Sequence, residues 1–462
     1  MTFHEAKLVL EKHRQSHVLK FWDRLTVTQQ TGLLSQIAAL DFKVVDQICA
    51  LLKAGEQGVV PHAALKPAPV VSLNAGDATV ALALGEKALR AGQVGVILVA
   101  GGQGTRLGFE GPKGTYPLAP VTQASLFEIH ARKILALERQ YHACIPFYIM
   151  TSEGNDADTR RFFEENHYFG LTCDHVKFFI QGTLPAFTPD GHIILESTGK
   201  LFSAPDGHGG ILAALDRCGM LADMKQRGLS TLYYFQVDNP LVEIADPSFV
   251  GGHLHRRADM SLKVCAKRDA GEGLGVTVVR DGRYAVVEYI ELTEEQKTAR
   301  GPDGGLLFKF GSVAIHLFSL DFLIREATAG LPLHQAHKKV PFCDDSGITV
   351  KPEKANAFKF EKFIFDALPD AREALILEFN REEEFAPVKN AEGNDSPETS
   401  RSAMMEKFAR WFDACGVKVP RDARGLIPVR IEIDPVYAHN AATLSARLPK
   451  GYEITGDVLL KA

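Results

Sequence analysis

The densest chemistry in this sequence lies in Gly101-Gly102-Gln103-Gly104-Thr105-Arg106-Leu107-Gly108, closed by Pro112-Lys113. Glycines let backbone N–H groups approach phosphate oxygens without side-chain obstruction, which makes Gly101, Gly102 and Gly104 candidate nucleotide-binding residues. Arg106 and Lys113 put two cations on the same loop, and a tight strand–helix turn alone would require neither. Two familiar phosphate loops do not match. A dinucleotide fingerprint, G-x-G-x-x-G, needs glycine where Leu107 stands, which disfavours an NAD-dependent oxidoreductase. A Walker loop, G-x-x-x-x-G-K-[ST], fails at Gly199-Lys200 because Ile194 and Leu201 occupy its first and last positions.

Further polar residues close apolar runs. Tyr233 to Val237 ends in Asp238-Asn239, and a carboxylate at a strand end suits magnesium, although a lone Asp there is as readily a helix cap. Phe178 to Ile180 ends in Gln181, whose amide offers both a donor and an acceptor, as uracil does; capping of the loop is the alternative. Pro205-Asp206-Gly207-His208-Gly209-Gly210 is a second glycine-rich turn, and from glycine content alone a plain turn explains it equally well.

These residues need a scaffold. Val94 to Val99, Pro146 to Met150, Val176 to Ile180 and Leu232 to Val237 are short, nearly continuous apolar runs separated by helical stretches. Such strands are buried on both faces, so the expected fold is α/β with a mostly parallel sheet. Ligands then bind beyond the carboxyl ends of the strands, where the glycine loop and Asp238 fall. Ahead of this core, Leu8, Val18, Leu19, Phe21, Trp22 and Leu25, then Leu33, Leu34, Ile37 and Leu40, recur at helical spacing. Gly58, Pro61, Pro67 and Pro69 mark a linker after them. Residues 381–402 are polar and read as a long surface loop. The segment 403–462 is expected to start helical around Phe408 and Trp411 and end β-rich. The expected domains are therefore an N-terminal helical region 1–90, a catalytic domain 91–402 and a small C-terminal domain 403–462.

Composition narrows the partners. The 462 residues carry 52 Lys and Arg against 57 Asp and Glu, a net charge of −5, so nucleic acid is not the expected partner. The seven cysteines are scattered without a C-x-x-C pair, so neither a disulfide framework nor a cysteine zinc site is expected, and the pattern suits a reducing cytoplasm. Charged residues interrupt the first 25 positions and no apolar run approaches ~18 residues, so a soluble cytoplasmic protein without a membrane partner is expected.

The pattern G-G-x-G-T-R-L-G-x-x-x-P-K, read from Gly101 to Lys113, resembles the signature of eukaryotic-type UDP-sugar pyrophosphorylases. The likeness is greatest to UDP-N-acetylhexosamine pyrophosphorylases and runs from about Phe21 to Ser402 through several separated motifs. It implies a Rossmann-like nucleotide-diphospho-sugar transferase core. It also implies a reaction of UTP with a sugar 1-phosphate, giving a UDP-sugar and pyrophosphate, with Mg²⁺ as cofactor. By resemblance Gln181 contacts uracil, Gly207 and His208 lie beside uracil and sugar, and Asp238 holds the metal. Glu288 and Tyr289 would line the sugar pocket, Gly275 would offer a backbone approach, and Phe358 and Phe360 would wall it, although spacing alone favours core packing for those two. Lys389, in Phe385-Ala386-Pro387-Val388-Lys389-Asn390, would reach phosphate, with a solvated surface lysine as the alternative. Two positions depart from the N-acetylhexosamine pattern: His208 and Ser312 both stand where asparagine is usual.

The implied mechanism needs no general base, because the attacking sugar phosphate is already ionised at pH 7. Positioning and charge stabilisation by Arg106, Lys113 and Lys389 would carry it. A UTP–glucose-1-phosphate uridylyltransferase is the nearest alternative, and a non-catalytic sugar-nucleotide-binding protein a more distant one.

Overall fold

The computed structural model describes residues 1–55, 65–72 and 75–462, so the linker residues Gly58 and Pro61 lie outside the described chain. Contacts divide it into two units built from interleaved segments, 1–65, 181–213 and 330–366 in one, and 66–180, 214–329 and 367–462 in the other. Successive blocks of sequence do not show this division, because two excursions, 181–213 and 330–366, pack with the N-terminal helices.

In the first unit, helices Phe3–Lys12, Val27–Ala39 and Phe42–Ala54 start at Thr2, Thr26 and Asp41, whose side chains accept from first-turn N–H groups. Thr2 with Glu5 and Thr26 with Gln29 form reciprocal capping boxes. Each helix buries residues three or four apart: Ala6 and Leu10, Leu33 and Ile37, Val45 and Ile48. They pack with Phe187, Ile193 and Phe360 from the two excursions. Gln15, 1% exposed, closes this contact: its amide donates to Gly191 O at 2.9 Å and accepts from Ile193 N–H at 2.9 Å. Both ends of a buried amide are thereby satisfied, and truncating it would leave two orphaned backbone groups.

The second unit holds a ten-stranded mixed sheet. Its parallel heart runs Thr231–Gln236, Val94–Val99, Phe147–Thr151, Val176–Ile180. The strands match the four apolar runs of the sequence to within a residue. Strand Phe310–Ser319 adds antiparallel to Thr231–Gln236 and also pairs with Met260–Ala266 and Val276–Arg280. Its register jumps from Lys263↔Ile315 to Val264↔Ser312, and Ala314 takes a φ of +58°. This bulge turns the end of the strand that carries Ser312. The expected loop 381–402 is shorter than the composition suggested. Arg381–Glu384 is a helical turn, and helix Pro397–Ala414 begins with Pro at its first position and a Ser396/Thr399 capping box. At the C-terminus, Ile431–Ile433 and Val458–Leu460 form a small parallel pair. Among the described residues, no helix is long and apolar enough to cross a membrane.

Candidate active site

The glycine loop leaves the carboxyl end of Val94–Val99, as its sequence context requires. Its shape comes from internal bonds: Gly104 N–H donates to Gly111 O at 2.9 Å and Lys113 N–H to Gly102 O at 3.0 Å. Thr105–Leu107 makes a single tight turn that ends at Gly108, whose φ of +65° favours glycine. Asn155 and Ser152 support the loop from below by donating to Ala100 O and Gly101 O. The glycines divide the work. A Cβ on Gly102 would meet open space, whereas one on Gly104 would strike the Phe109 ring at 2.7 Å. Gly104 is therefore a packing glycine whose N–H is already engaged, and the exposed approach belongs to Gly102, with Gly101 half-buried before it. Arg106 stands exposed on the tight turn.

Strand Thr231–Gln236 is the parallel neighbour of Val94–Val99, so Asp238 and the glycine loop emerge side by side. Lys113 Nζ lies 3.7 Å from Asp238 Oδ2, with both side chains less than a fifth exposed. The two are an ion pair too long to be a hydrogen bond, which leaves both partners able to exchange for phosphate or cation.

Residues that the sequence did not single out hold this corner. Asn239 donates to Glu384 O at 2.7 Å and accepts from Ala386 N–H at 3.1 Å, while Val388 N–H donates to Asp238 O at 2.8 Å. The segment leading to Lys389 is thus bonded to the metal-candidate strand end. Lys389 itself lies over the Phe385 ring, 5.9 Å from its centroid, and its N–H donates to Asp395 O. Behind the strand end, His130 bonds Val237 O at 3.0 Å, and Lys133 donates to Pro240 O and Val242 O. Burial lowers the His130 imidazole to about 3, so it is neutral and its Nε2–H is the donor. Burial also lowers Lys133, to about 7. Their signal in the sequence was weak: polar residues on the buried face of helix Leu126–Tyr141, a pattern that also fits satisfied core groups.

In the same unit, Ser312 N–H donates to Gly275 O at 2.8 Å, and a Cβ on Gly275 would come within 3.4 Å of Glu288 Oε1. Gly275, Glu288 and Ser312 are therefore neighbours. Tyr289 is 41% exposed beside Gly273.

The first unit brings Gln181, Gly207 and His208 together. Gln181 Nε2 donates to Gly207 O at 3.2 Å, the loop-capping contact. Gly207 takes a φ of +82°, and a Cβ there would sit 2.4 Å from Lys362 O, so only glycine fits. His208 Nδ1 accepts from Ile364 N–H at 3.2 Å, and its ring stacks on Phe363. Burial, then the charge of His334, depresses its imidazole to about 4, so the ring is neutral and presents an Nε2–H donor. Phe358 stacks on His337 and is bridged to Phe187 by backbone bonds. Phe360 corrects the resemblance-based expectation of a pocket wall. At 1% exposed it belongs to the core with Phe187 and offers no surface to a ligand.

The family model for UTP–glucose-1-phosphate uridylyltransferase matches residues 81–395. The human UDP-N-acetylhexosamine pyrophosphorylase-like protein 1 is 37% identical, over 99% of this chain and 96% of its own length. The Saccharomyces cerevisiae UDP-N-acetylglucosamine pyrophosphorylase is 34% identical, over 99% of this chain and 100% of its own. The chain belongs to the UDP-sugar pyrophosphorylase family. Among solved structures, the Trypanosoma brucei uridine diphosphate N-acetylglucosamine pyrophosphorylase superposes with a TM-score of 0.85 at 26% identity, covering 100% of this chain and 99% of that one. As a member of this family the chain is a nucleotidyltransferase that forms a UDP-sugar and pyrophosphate.

Residues able to hold a metal fall in two places. Among the described residues, one group of three donors could bind an ion: Glu138, Cys144 and His175. Asp238 belongs to no such group among the described residues, but Mg²⁺ commonly takes only one or two carboxylates and fills its shell with water and phosphate oxygens. A mostly buried carboxylate beside a lysine, at a strand end next to a glycine loop, fits that habit.

Proposed function

We propose that this pyrophosphorylase joins UTP to the 1-phosphate of an N-acetylated hexosamine, with Lys113, Asp238 and Lys389 at the reacting phosphates. The observation that carries this reading is the 3.7 Å approach of Lys113 to Asp238 at adjacent parallel strand ends. The sugar phosphate oxygen attacks the α-phosphorus of UTP in line. The bond from that phosphorus to the β-phosphate oxygen breaks, and pyrophosphate leaves. Lys113 moves from its carboxylate to the α-phosphate as charge accumulates there, and exposed Arg106 meets the β- and γ-phosphates. Mg²⁺ on Asp238, when bound, supplies charge neutralisation for the nucleotide phosphates. Lys389 meets the sugar phosphate, and the backbone bonds from Asp238 and Asn239 to residues 386–388 set its starting point.

Gln181 reads uracil with the amide atoms left after its bond to Gly207. His208 reads the sugar through Nε2–H, because Nδ1 is engaged by Ile364. An acetyl carbonyl accepts such a donor, so histidine here keeps one of the two functions of the asparagine usual in relatives. Selectivity against glucose 1-phosphate is therefore reduced rather than abolished. The seven free cysteines support a reducing, cytoplasmic setting.

The test is pyrophosphate release from UTP with glucose, galactose, GlcNAc and GalNAc 1-phosphates in parallel. Turnover with GlcNAc 1-phosphate, with glucose 1-phosphate within about 10-fold, is expected from one altered hydrogen bond. No pyrophosphate with any of the four would overturn the reading.

A further inference from the structure

Glu138, Cys144 and His175 place one oxygen, one sulfur and one nitrogen within 4.8 Å of one another. Glu138 lies near the end of helix Leu126–Tyr141, Cys144 just ahead of strand Phe147–Thr151, and His175 immediately before strand Val176–Ile180. Those strands run parallel to Val94–Val99 and Thr231–Gln236, whose opposite, carboxyl ends carry the glycine loop and Asp238. The cluster therefore sits at the other edge of the sheet from the phosphate chemistry, a strand length of roughly 17 Å away.

Two details mark it as more than a chance gathering of polar groups. His175 Nδ1 is buried and makes no hydrogen bond, whereas buried polar side-chain atoms normally have a partner. It lies 3.4 Å from Glu138 Oε1, and two ligands held at about 2.0–2.1 Å on a tetrahedral ion are separated by about 3.3 Å. Glu138 Oε1 is itself fixed by Ile145 N–H at 2.9 Å, which supplies the outer support that ligating carboxylates usually have. A mixed N, O and S donor set suits a borderline-soft divalent ion and is unsuited to Mg²⁺.

We propose that Glu138, Cys144 and His175 form a zinc-class site, with solvent as the fourth ligand, that ties the end of one helix to the starts of two sheet strands. On binding, the Cys144 S–H bond breaks, its proton passes to water, and a sulfur–metal bond forms with no change of oxidation state. The ion is separate from the Mg²⁺ of the transfer reaction, and this proposal stands whether or not the substrate assignment does.

Cobalt(II) is the probe, because a thiolate ligand gives it a charge-transfer band in the near ultraviolet. Full-length protein stripped with EDTA and desalted should take up one equivalent of Co²⁺ with that band, and Zn²⁺ but not excess Mg²⁺ should bleach it. Cys144→Ser should lose the band, and His175→Ala should lose most of it. Cys173→Ser, at an exposed thiol two residues before His175, should keep it. Thermal melting should show Zn²⁺ raising Tm in wild type but not in Cys144→Ser. Pyrophosphate release in Mg²⁺ should be unchanged by Cys144→Ser. Absence of the band in wild type, or its persistence in Cys144→Ser, would overturn the proposal; a folded, active Cys144→Ser protein that still gains Tm from Zn²⁺ would do the same.

Discussion

Two lysine–carboxylate contacts in the second unit differ in a way that separates function from support. Lys113 and Asp238 stand 3.7 Å apart, with 17% and 13% of their side chains exposed. Lys263, 1% exposed in the middle of strand Met260–Ala266, bonds both oxygens of Glu384, at 2.5 and 2.7 Å, and also Asp246 at 2.8 Å. The first pair is under-coordinated and within reach of a ligand. In the second, all three ammonium protons are used. Despite the desolvation that opposes its charge, Asp246 and Glu384 hold Lys263 well above the usual lysine range. A saturated buried cation fixes geometry and has nothing left to offer a substrate. Its partner Glu384 lies next to the segment that Asn239 staples, so the closed contact holds the chain on which the open one depends.

Breaking the closed contact should have the largest effect. Lys263→Ala leaves Glu384 buried and unpaired, and should destabilise the protein by about 3–5 kcal/mol in urea unfolding. A loss below about 1 kcal/mol would mean that water reaches Glu384 and the contrast fails. Breaking the open contact should act on rate with little change in stability. Lys113→Ala is expected to lower kcat by about 10²-fold or more with an unchanged urea midpoint, the scale of losing one transition-state stabiliser. Asp238→Asn should cost at least as much, with partial recovery as Mg²⁺ is raised, and wild type should stop in excess EDTA. Full activity in EDTA would remove Asp238 from any metal role.

Acid should act through neutral buried rings. His130, His208 and His253 are depressed to about 3, 4 and 4, in each case chiefly by burial. Unfolded imidazoles take up protons below about 6.5 while the folded ones resist to about 4. The folded state thus loses stability as pH falls from 6.5 toward 4 and regains it above 6.5. Urea midpoints measured between pH 7 and pH 5 should fall, and His253→Asn should make the fall shallower. A flat profile would place these rings in contact with solvent.

The smallest expected effect concerns the sugar. His208→Asn, alone and with Ser312→Asn, should raise kcat/KM for GlcNAc 1-phosphate relative to glucose 1-phosphate by only several-fold, because one hydrogen bond is worth about 0.5–1.5 kcal/mol. Since Nε2–H already supplies a donor, a larger shift would show that ring size, not hydrogen bonding, controls the choice. An unchanged ratio would move selectivity to Glu288 and Tyr289.

Local order in the chain carried the strand positions, the glycine loop and Asp238. An apolar run buried on both faces has one stable use, and the residues that follow its carboxyl end must emerge at the sheet edge. Capping residues such as Thr26 and Ser396 act within a few positions and were equally readable in principle, yet composition alone hid the helix start at Pro397. Spacing could not separate Phe358 from Phe360. They stand two positions apart on one strand and so share a face, and only the burial of Phe360 against Phe187 shows that it is core. Lys263 and Glu384 are 121 positions apart, and Glu138 and His175 are 37 apart. Such pairs depend on how strands are ordered and paired in the sheet. Hydrophobic periodicity records which residues are buried but not which buried residues meet, so those contacts were decided by the tertiary structure alone.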